Sequence, residues 1–141
     1  MQGKKPKEST LQLIEGGLSN VPEAPAWLNV RAKAIWRTIA PELVERKILA
    51  ETDLGTLANY CATNAIIQEC QAAFDSDGLF EHSERSGTSR PSAAFKMIMQ
   101  AQMVGARLAA ELGLSPASRN KAAKIETNEA SSEGWGNDLL A

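Results

Sequence analysis

The chain has 141 residues, a length that suits one domain with terminal extensions. Hydrophobic residues make up 43% and aromatic residues only 5%, and long stretches without Gly or Pro favour helices. No apolar run approaches the roughly 18 residues of a membrane span, and no apolar segment of a secretory signal follows the N-terminal lysines. One His and two Cys offer no zinc-ligand spacing. We therefore expect an intracellular helical protein without a metal or cofactor.

Charge is segregated along the chain. Residues 48–84 contain seven acids and no Lys or Arg, whereas residues 85–125 contain seven bases and one acid. Residues 1–47 carry eight bases and five acids, and residues 126–141 carry four acids and no base. Such a chain can bind an anion on one surface although its net charge is −2. The alternative is that blocks of opposite sign pair with each other, within or between subunits.

The N-terminal half predicts an arm and two helices. Residues 1–24 mix Gly and Pro with Ser, Lys and Glu, which predicts a flexible arm. A first helix should begin near Pro25, with Pro41 kinking or restarting it. Its apolar stripe comprises Leu28, Ala32, Ile35, Trp36, Ile39 and Leu43. Thr52-Asp53 should cap a second helix that runs to about Phe74.

The C-terminal half predicts a break, two more helices and a tail. Residues 75–90 indicate a loop or a short hairpin. Pro91, with Ser89 as its cap, should open a third helix that ends near Leu112 at Gly113. Ser115-Pro116 should start a short fourth helix. The predicted organisation is a flexible arm (1–24), a helical domain (25–126) and a flexible acidic C-terminal tail (127–141).

The second and third helices each carry apolar residues on two sides. In the second helix, Leu54, Leu57, Ala58, Cys61 and Ala65 form one stripe, and Tyr60, Ile67, Cys70 and Phe74 form the other. In the third, Phe95, Ile98, Met99, Ala106 and Ala109 lie across the axis from Met97, Ala101, Val104 and Leu108. A small monomer seldom covers both sides, and exposed apolar surface marks interfaces. We expect a homo-oligomer with its interface at Tyr60, Ile67, Cys70, Phe74, Met97, Val104 and Leu108. The alternative is that both helices are simply central in the fold.

The sequence contains no recognisable catalytic constellation. There is no G-x-x-x-x-G-K-[ST] loop, which excludes that class of ATPase. His82 stands in a Glu/Ser-rich segment without a candidate nucleophile and is interpreted as an exposed loop residue. Asp75 and Asp77 lack the remaining ligands of a calcium loop. We predict that the chain is not an enzyme.

The segment Leu112–Arg119 reads Leu-Gly-Leu-Ser-Pro-Ala-Ser-Arg. It resembles the Leu-Gly-Leu-Thr-Pro-x-x-Arg signature of a large family of phage terminase small subunits. Other features of that family follow in the same order over about residues 25–125, namely Trp36, Pro41-x-Leu43, Ile48-Leu49, Asp53, Leu57, Tyr60-Cys61, a Gly-bounded loop and Pro91. The chain departs from the family at Arg90, where a His often precedes the proline.

The resemblance implies a fold and a function. It implies a non-catalytic subunit that assembles into a homo-oligomeric ring. Together with the helices predicted from the residues, the expected fold is an all-α, small multi-helix bundle with two long central helices, and the expected location is the host cell cytoplasm. Such a subunit recognises double-stranded viral DNA and recruits or regulates the large subunit, which holds the ATPase and nuclease. Some related packaging systems also involve an HNH endonuclease. The resemblance implies no membrane partner.

The distribution of charge along the chain indicates which residues we expect to contact DNA. A second helix that begins among acids should repel phosphate, so it is a poor recognition helix. The candidate contacts are the basic residues Lys4, Lys5, Lys7, Lys33, Arg37, Arg119, Lys121 and Lys124. Each also has a simpler interpretation as a solubilising charge. Two other classes remain open, a dimeric DNA-binding transcriptional regulator and a helical oligomeric adaptor or scaffold.

The C-terminal tail ends in apolar residues, Trp135, Leu139 and Leu140, within an acidic setting. Because Trp135 and Leu139 are four residues apart, one helical turn would place them side by side as anchors for a hydrophobic groove. By the resemblance, we predict that these three residues dock on the large subunit. The alternative is that Trp135 folds back onto its own domain.

Overall fold

The computed structural model describes residues 17–120, which form three long helices and a β-hairpin. Helix α1 spans Val30–Glu45, and a 3-10 turn (Glu51–Asp53) leads directly into α2, Leu54–Asp77. Strands β1 (Phe80–Ser83) and β2 (Thr88–Pro91) form the hairpin, and α3 spans Ala93–Glu111. A further helical segment begins at residue 116 and continues to 120, where the described residues end. The predicted all-α fold is confirmed in part: residues 17–120 are mostly helical, but they also contain a small two-stranded sheet.

Helix α1 packs its predicted stripe against α2. Ala32, Trp36, Ala40 and Leu43 are buried, and Ile35 and Ile39 are partly buried against the same core. The helix begins later than predicted, because the side chain of Asn29 accepts a 2.8 Å hydrogen bond from the Ala32 N–H and caps it. Pro41 lies within α1 without ending it. Since Pro41 is exposed, the helical bond that it cannot donate is lost on the solvent side.

The described end of the predicted arm packs on the helical domain. The Leu18 N–H donates to the Leu49 carbonyl at 2.9 Å, and Leu18 contacts the core. The indole Nε1 of Trp36 donates to the Pro22 carbonyl at 2.9 Å, which satisfies this otherwise buried donor. Residues 18–24 therefore belong to the packed domain, and residues 1–16 lie outside the described part of the chain.

Helix α2 lies between the other two helices, and both of its apolar stripes are used inside the chain. The stripe containing Leu57, Cys61 and Ala65 is fully buried in the core with α1. On the other side, the Phe74 ring packs against Phe95 of α3, with centroids 6.2 Å apart. The start of α3 therefore lies beside the end of α2, so the two helices run antiparallel. Of the two interpretations of α2, the structure favours a central position in the fold.

The hairpin connects α2 to α3 and sets where α3 begins. Phe80 pairs with Pro91 and Glu81 pairs with Arg90 across the strands. Pro91 therefore ends β2, and the prediction that it opens α3 with Ser89 as cap is wrong. The cap is the buried Ser92, whose hydroxyl accepts from the Phe95 N–H at 3.2 Å.

The predicted end of α3 is confirmed. Gly113 has a φ of +71°, a left-handed conformation that glycine adopts without strain, and the Leu114 N–H donates to the Ala109 carbonyl at 2.8 Å. The Ser115 hydroxyl then accepts from the Ser118 N–H at 3.2 Å, as expected for the cap of the following segment. Leu112 is buried with the α1–α2 core and Leu114 packs against it. The Leu112–Arg119 signature thus stops α3, anchors its end on the core and starts the next segment.

Candidate nucleic-acid interface

The exposed side of α1 carries basic residues that no neighbouring acid neutralises. The stretch 24–41 contains Arg31, Lys33 and Arg37 and no Asp or Glu. Three other arginines in residues 17–120 are paired with carboxylates: Arg46 with Glu42, Arg90 with Glu81, and Arg107 with Glu111. Within the same residues, none of the three α1 bases forms such a pair. These side chains are therefore available to an external anion.

Lys33 and Arg37 lie one turn apart and share a cleft of about 460 Å³. Residues 21–24 also line this cleft, as does Trp36, whose indole N–H donates to the Pro22 carbonyl. Glu23 also lines the cleft without forming an ion pair with either base. Packing of the 21–24 segment against α1 thus places two cations at a concave surface. Arg31 was missed in the sequence analysis, although the absence of acids between residues 24 and 41 was visible there.

The remaining predicted DNA contacts are divided between two locations. Arg119 is exposed on the helical segment after the signature and does not line the α1 cleft. Lys4, Lys5, Lys7, Lys121 and Lys124 lie outside the described residues. The structure therefore brings together Lys33 and Arg37 from the predicted set and leaves Arg119 on a separate element.

Helix α2 offers no comparable surface. It has no Lys or Arg, and acidic residues occur just before its start and near its end. The Asp53 carboxylate accepts a 3.1 Å hydrogen bond from the Ala50 N–H, so it helps to fix the turn that begins the helix. With α1 on one side and α3 on the other, α2 functions as the scaffold on which the basic surface of α1 is held.

The predicted interface residues fall into two groups. Ile67, Cys70 and Phe74 lie on the side of α2 that faces α3, with Cys70 buried, and Tyr60 packs partly buried against the core. On α3, Met97 and Val104 are half exposed, and Leu108 is partly buried.

Met99, from the other predicted stripe of α3, is also exposed, and Met103, which belongs to neither predicted stripe, is 74% exposed. Buried Gly105 and Ile98, the latter from the first predicted stripe, mark the side of α3 that faces α2. Open apolar surface is therefore concentrated on α3. The assignment of these residues to a subunit interface stays a prediction.

Gly105 lies on the side of α3 that packs against α2. A Cβ at this position would lie 3.6 Å from Thr63 Cγ2 and 3.9 Å from Ile67 Cδ1, which is ordinary van der Waals contact. The contact explains why part of the second α2 stripe is covered within the chain. With this side of α3 against α2, the two flanks of α3 do not face α2.

Titratable groups elsewhere have structural explanations. Burial raises the pKa of the Cys61 thiol to about 11, so this cysteine stays protonated at neutral pH. A hydrogen bond from the Ala93 N–H, with the charge of Arg90, lowers the pKa of Glu81 and ties the hairpin to the start of α3. His82 is exposed and hydrogen-bonds the Ser89 hydroxyl at 2.6 Å. Residues 17–120 hold no group of three His, Cys, Asp or Glu side chains arranged for a metal.

No helix among the described residues has the length and hydropathy that crossing a bilayer requires. The predicted docking residues Trp135, Leu139 and Leu140 lie beyond residue 120, outside the part of the chain that the structure describes.

Comparison with known proteins gives one match. The family model described as "Phage terminase, small subunit" matches residues 32–129, which cover α1, α2, the hairpin, α3 and the signature. No curated protein and no solved structure matches the chain significantly. The family match covers well over half of the sequence and confirms the resemblance first suggested by Leu112–Arg119. The chain belongs to the phage terminase small-subunit family.

Proposed function

We propose that this chain is the non-catalytic, DNA-binding subunit of a phage packaging terminase, which acts as a homo-oligomer in the host cytoplasm. The match to the small-subunit family over residues 32–129 carries this proposal, because that family has its role in phage DNA packaging. The large subunit, and in some systems an HNH endonuclease, would supply the chemistry.

The basic side of α1 is the proposed DNA contact within residues 17–120. Phosphate contacts supply most of the affinity of non-specific DNA binding, and they require cations that are not already neutralised. Lys33 and Arg37 meet this requirement, whereas Arg46 and Arg107 each pair with a carboxylate on their own helix. Repeating the α1 surface in several subunits would multiply a weak contact through avidity. Arg119, Lys121, Lys124 and the N-terminal lysines 4, 5 and 7 would add to it.

The exposed flanks of α3 are the proposed contact between subunits. Met97 and Val104 expose about half of their surface, and Met103 exposes more. Methionine side chains adapt to irregular partner surfaces, and exposed apolar side chains on one element often mark an interface. A neighbouring copy that covered one flank would bury it. Leu108, which is partly buried and belongs to the same predicted stripe as Met97 and Val104, would extend the contact.

The C-terminal tail is the proposed contact with the large subunit. Trp135, Leu139 and Leu140 provide the aromatic and aliphatic anchors that peptide segments use in grooves, and the nearby acids favour a basic partner surface.

The experiment that tests the proposal combines DNA binding with mass. Purified full-length chain is titrated into fluorescent double-stranded DNA at 50 and 200 mM salt, and its oligomeric mass is measured by native mass spectrometry. We expect salt-sensitive binding by an assembly larger than a dimer. A dimer that binds one specific operator-like site would instead support a transcriptional regulator. An oligomer that binds no DNA at 50 mM salt would support a scaffold, and either outcome contradicts the proposal.

A further inference from the structure

The basic side of α1 also exposes large apolar side chains. Val30 is 84% exposed, and Trp27, just before the helix, is 64% exposed. Val30 lies three and seven residues before Lys33 and Arg37, which places all three on the same face of the helix. Val21, also exposed, lines the cleft that these two bases share. We call this combination the α1 face: Val21, Trp27, Val30, Lys33 and Arg37.

The α1 face has the chemistry of a peptide-binding surface as well as that of a phosphate-binding surface. Phosphates account for the two cations and leave Trp27 and Val30 without a partner. Trp, which is exposed at position 27, is one of the residue types that dominate binding hot spots. A ligand that satisfies the whole face must therefore be acidic and must carry apolar anchors.

The C-terminal segment of the chain has that composition. Residues 126–141 have four acids and no base, and they include Trp135, Leu139 and Leu140. The segment is also close enough along the chain. Leu112 lies close to Leu43 near the C-terminal end of α1, since both line one cleft, and α1, with 16 residues, is only about 24 Å long. The fifteen residues from Asn120 to Trp135 reach at most about 50 Å when extended, which is enough to bring Trp135 to the start of α1.

We propose that the C-terminal segment 126–141 docks on the α1 face of its own chain, with Trp135 and Leu139 against Trp27 and Val30 and its acids against Lys33 and Arg37. The docked segment occupies the cations that DNA phosphates would use. Tail and DNA therefore compete for one surface. Where DNA is concerned, this inference rests on the proposed function.

Competition at this face couples DNA binding to the large subunit. A tail held by the large subunit cannot cover the α1 face, so the large subunit would raise the affinity for DNA. By thermodynamic linkage, DNA would raise the affinity for the large subunit by the same factor. The small subunit would then bind DNA most tightly when the packaging machinery is present.

A first experiment tests docking without DNA. A fluorescent peptide with the sequence of residues 126–141 is titrated with full-length chain carrying Trp135→Ala and Leu139→Ala, whose own tail no longer competes. We expect saturable binding that weakens with salt, and at least a tenfold loss when Lys33→Gln and Arg37→Gln are added. The matched control is Arg46→Gln with Arg107→Gln, which makes the same change in net charge and should leave binding unchanged. Absence of binding, or an equal loss in the control, overturns the inference.

A second experiment tests competition in the full-length chain. Trp135→Ala with Leu139→Ala changes no charge, yet it should release the tail and tighten the binding of a random-sequence duplex. The apparent dissociation constant for DNA equals the intrinsic constant divided by the fraction of α1 faces that the tail leaves uncovered. A tail that covers the face for half to nine-tenths of the time therefore gives roughly a two- to tenfold gain. Trp27→Ala should give the same gain, and the combined variant should gain no more than either alone.

The outcomes of these experiments distinguish a failure of tail docking from a failure of the proposed DNA-binding function. The control Phe80→Ala, which truncates an exposed apolar side chain on the β1–β2 hairpin, should leave DNA affinity unchanged. Unchanged affinity in the tail and Trp27 variants, or additive gains in the combined variant, overturns the competition. If the peptide binds the α1 face but no variant binds DNA, docking is supported and the proposed DNA function is contradicted.

Discussion

Neutralising the basic pair of α1 should weaken DNA binding and reduce its dependence on salt. The test variant is Lys33→Gln with Arg37→Gln. Neither side chain has an ion-pair partner among residues 17–120, so the substitutions remove two available cations and break no salt bridge there. Since Arg37 is exposed and Lys33 only half-buried, helix content and oligomeric mass should stay unchanged.

The size of the effect follows from counterion release. Each phosphate contact contributes about 0.9 to the slope of log K against log salt. Two lost contacts therefore lower the slope by about 1.8 for each subunit that touches DNA, which corresponds to roughly a 60-fold loss of affinity at 0.1 M salt. Fluorescence anisotropy with a labelled duplex at several salt concentrations measures both quantities.

A matched variant distinguishes a local contact from a general effect of charge. Arg46→Gln with Arg107→Gln removes the same two positive charges, but both residues already pair with carboxylates on their own helices. The slope should stay close to that of the unmodified chain. An unchanged slope in the α1 variant, or equal losses in both variants, would refute the assignment of DNA binding to α1.

Three further predictions concern assembly, stability and reactivity. Met97→Glu with Val104→Glu should reduce the oligomeric mass in native mass spectrometry with circular dichroism unchanged; an intact assembly would contradict an α3 interface. Gly113→Ala should destabilise the fold by about 1–2 kcal/mol in denaturant unfolding, because its φ of +71° strains any residue with a Cβ; an unchanged midpoint would argue against this turn. The pKa of Cys61 is raised to about 11, so its reactive thiolate forms only as pH rises towards that value. Thiol reagents should label it at pH 8 only after unfolding, and rapid labelling of the folded chain would show that it is not buried.

Much of the helical layout could be predicted from local sequence. The helical spacing of apolar residues in α1 correctly predicted that Trp36 and Leu43 lie in the core. Gly113 correctly predicted the end of α3, and Ser115 the start of the helical segment that follows it. These features depend on residues close together along the chain. Lys33 and Arg37 were likewise identified from the sequence, but the absence of ion-pair partners for them among residues 17–120 became visible only in the fold.

Features that depend on tertiary contacts were harder to predict. Two apolar stripes on α2 suggested a subunit contact, but sequence periodicity alone does not say which neighbour covers a stripe. Phe95 of α3 covers part of it by packing against Phe74. The start of α3 was also misplaced, because Pro91 is a favourable first residue of a helix but here pairs with Phe80 across the hairpin.

The most direct test of the account is native mass spectrometry of the full-length chain, alone and mixed with the large subunit of the same phage and a DNA duplex. The account predicts assemblies of more than two 15.1 kDa chains that bind the duplex and the large subunit. It also predicts that the Lys33→Gln, Arg37→Gln variant retains the large subunit but binds less DNA. A monomer or dimer that binds neither partner would contradict the account.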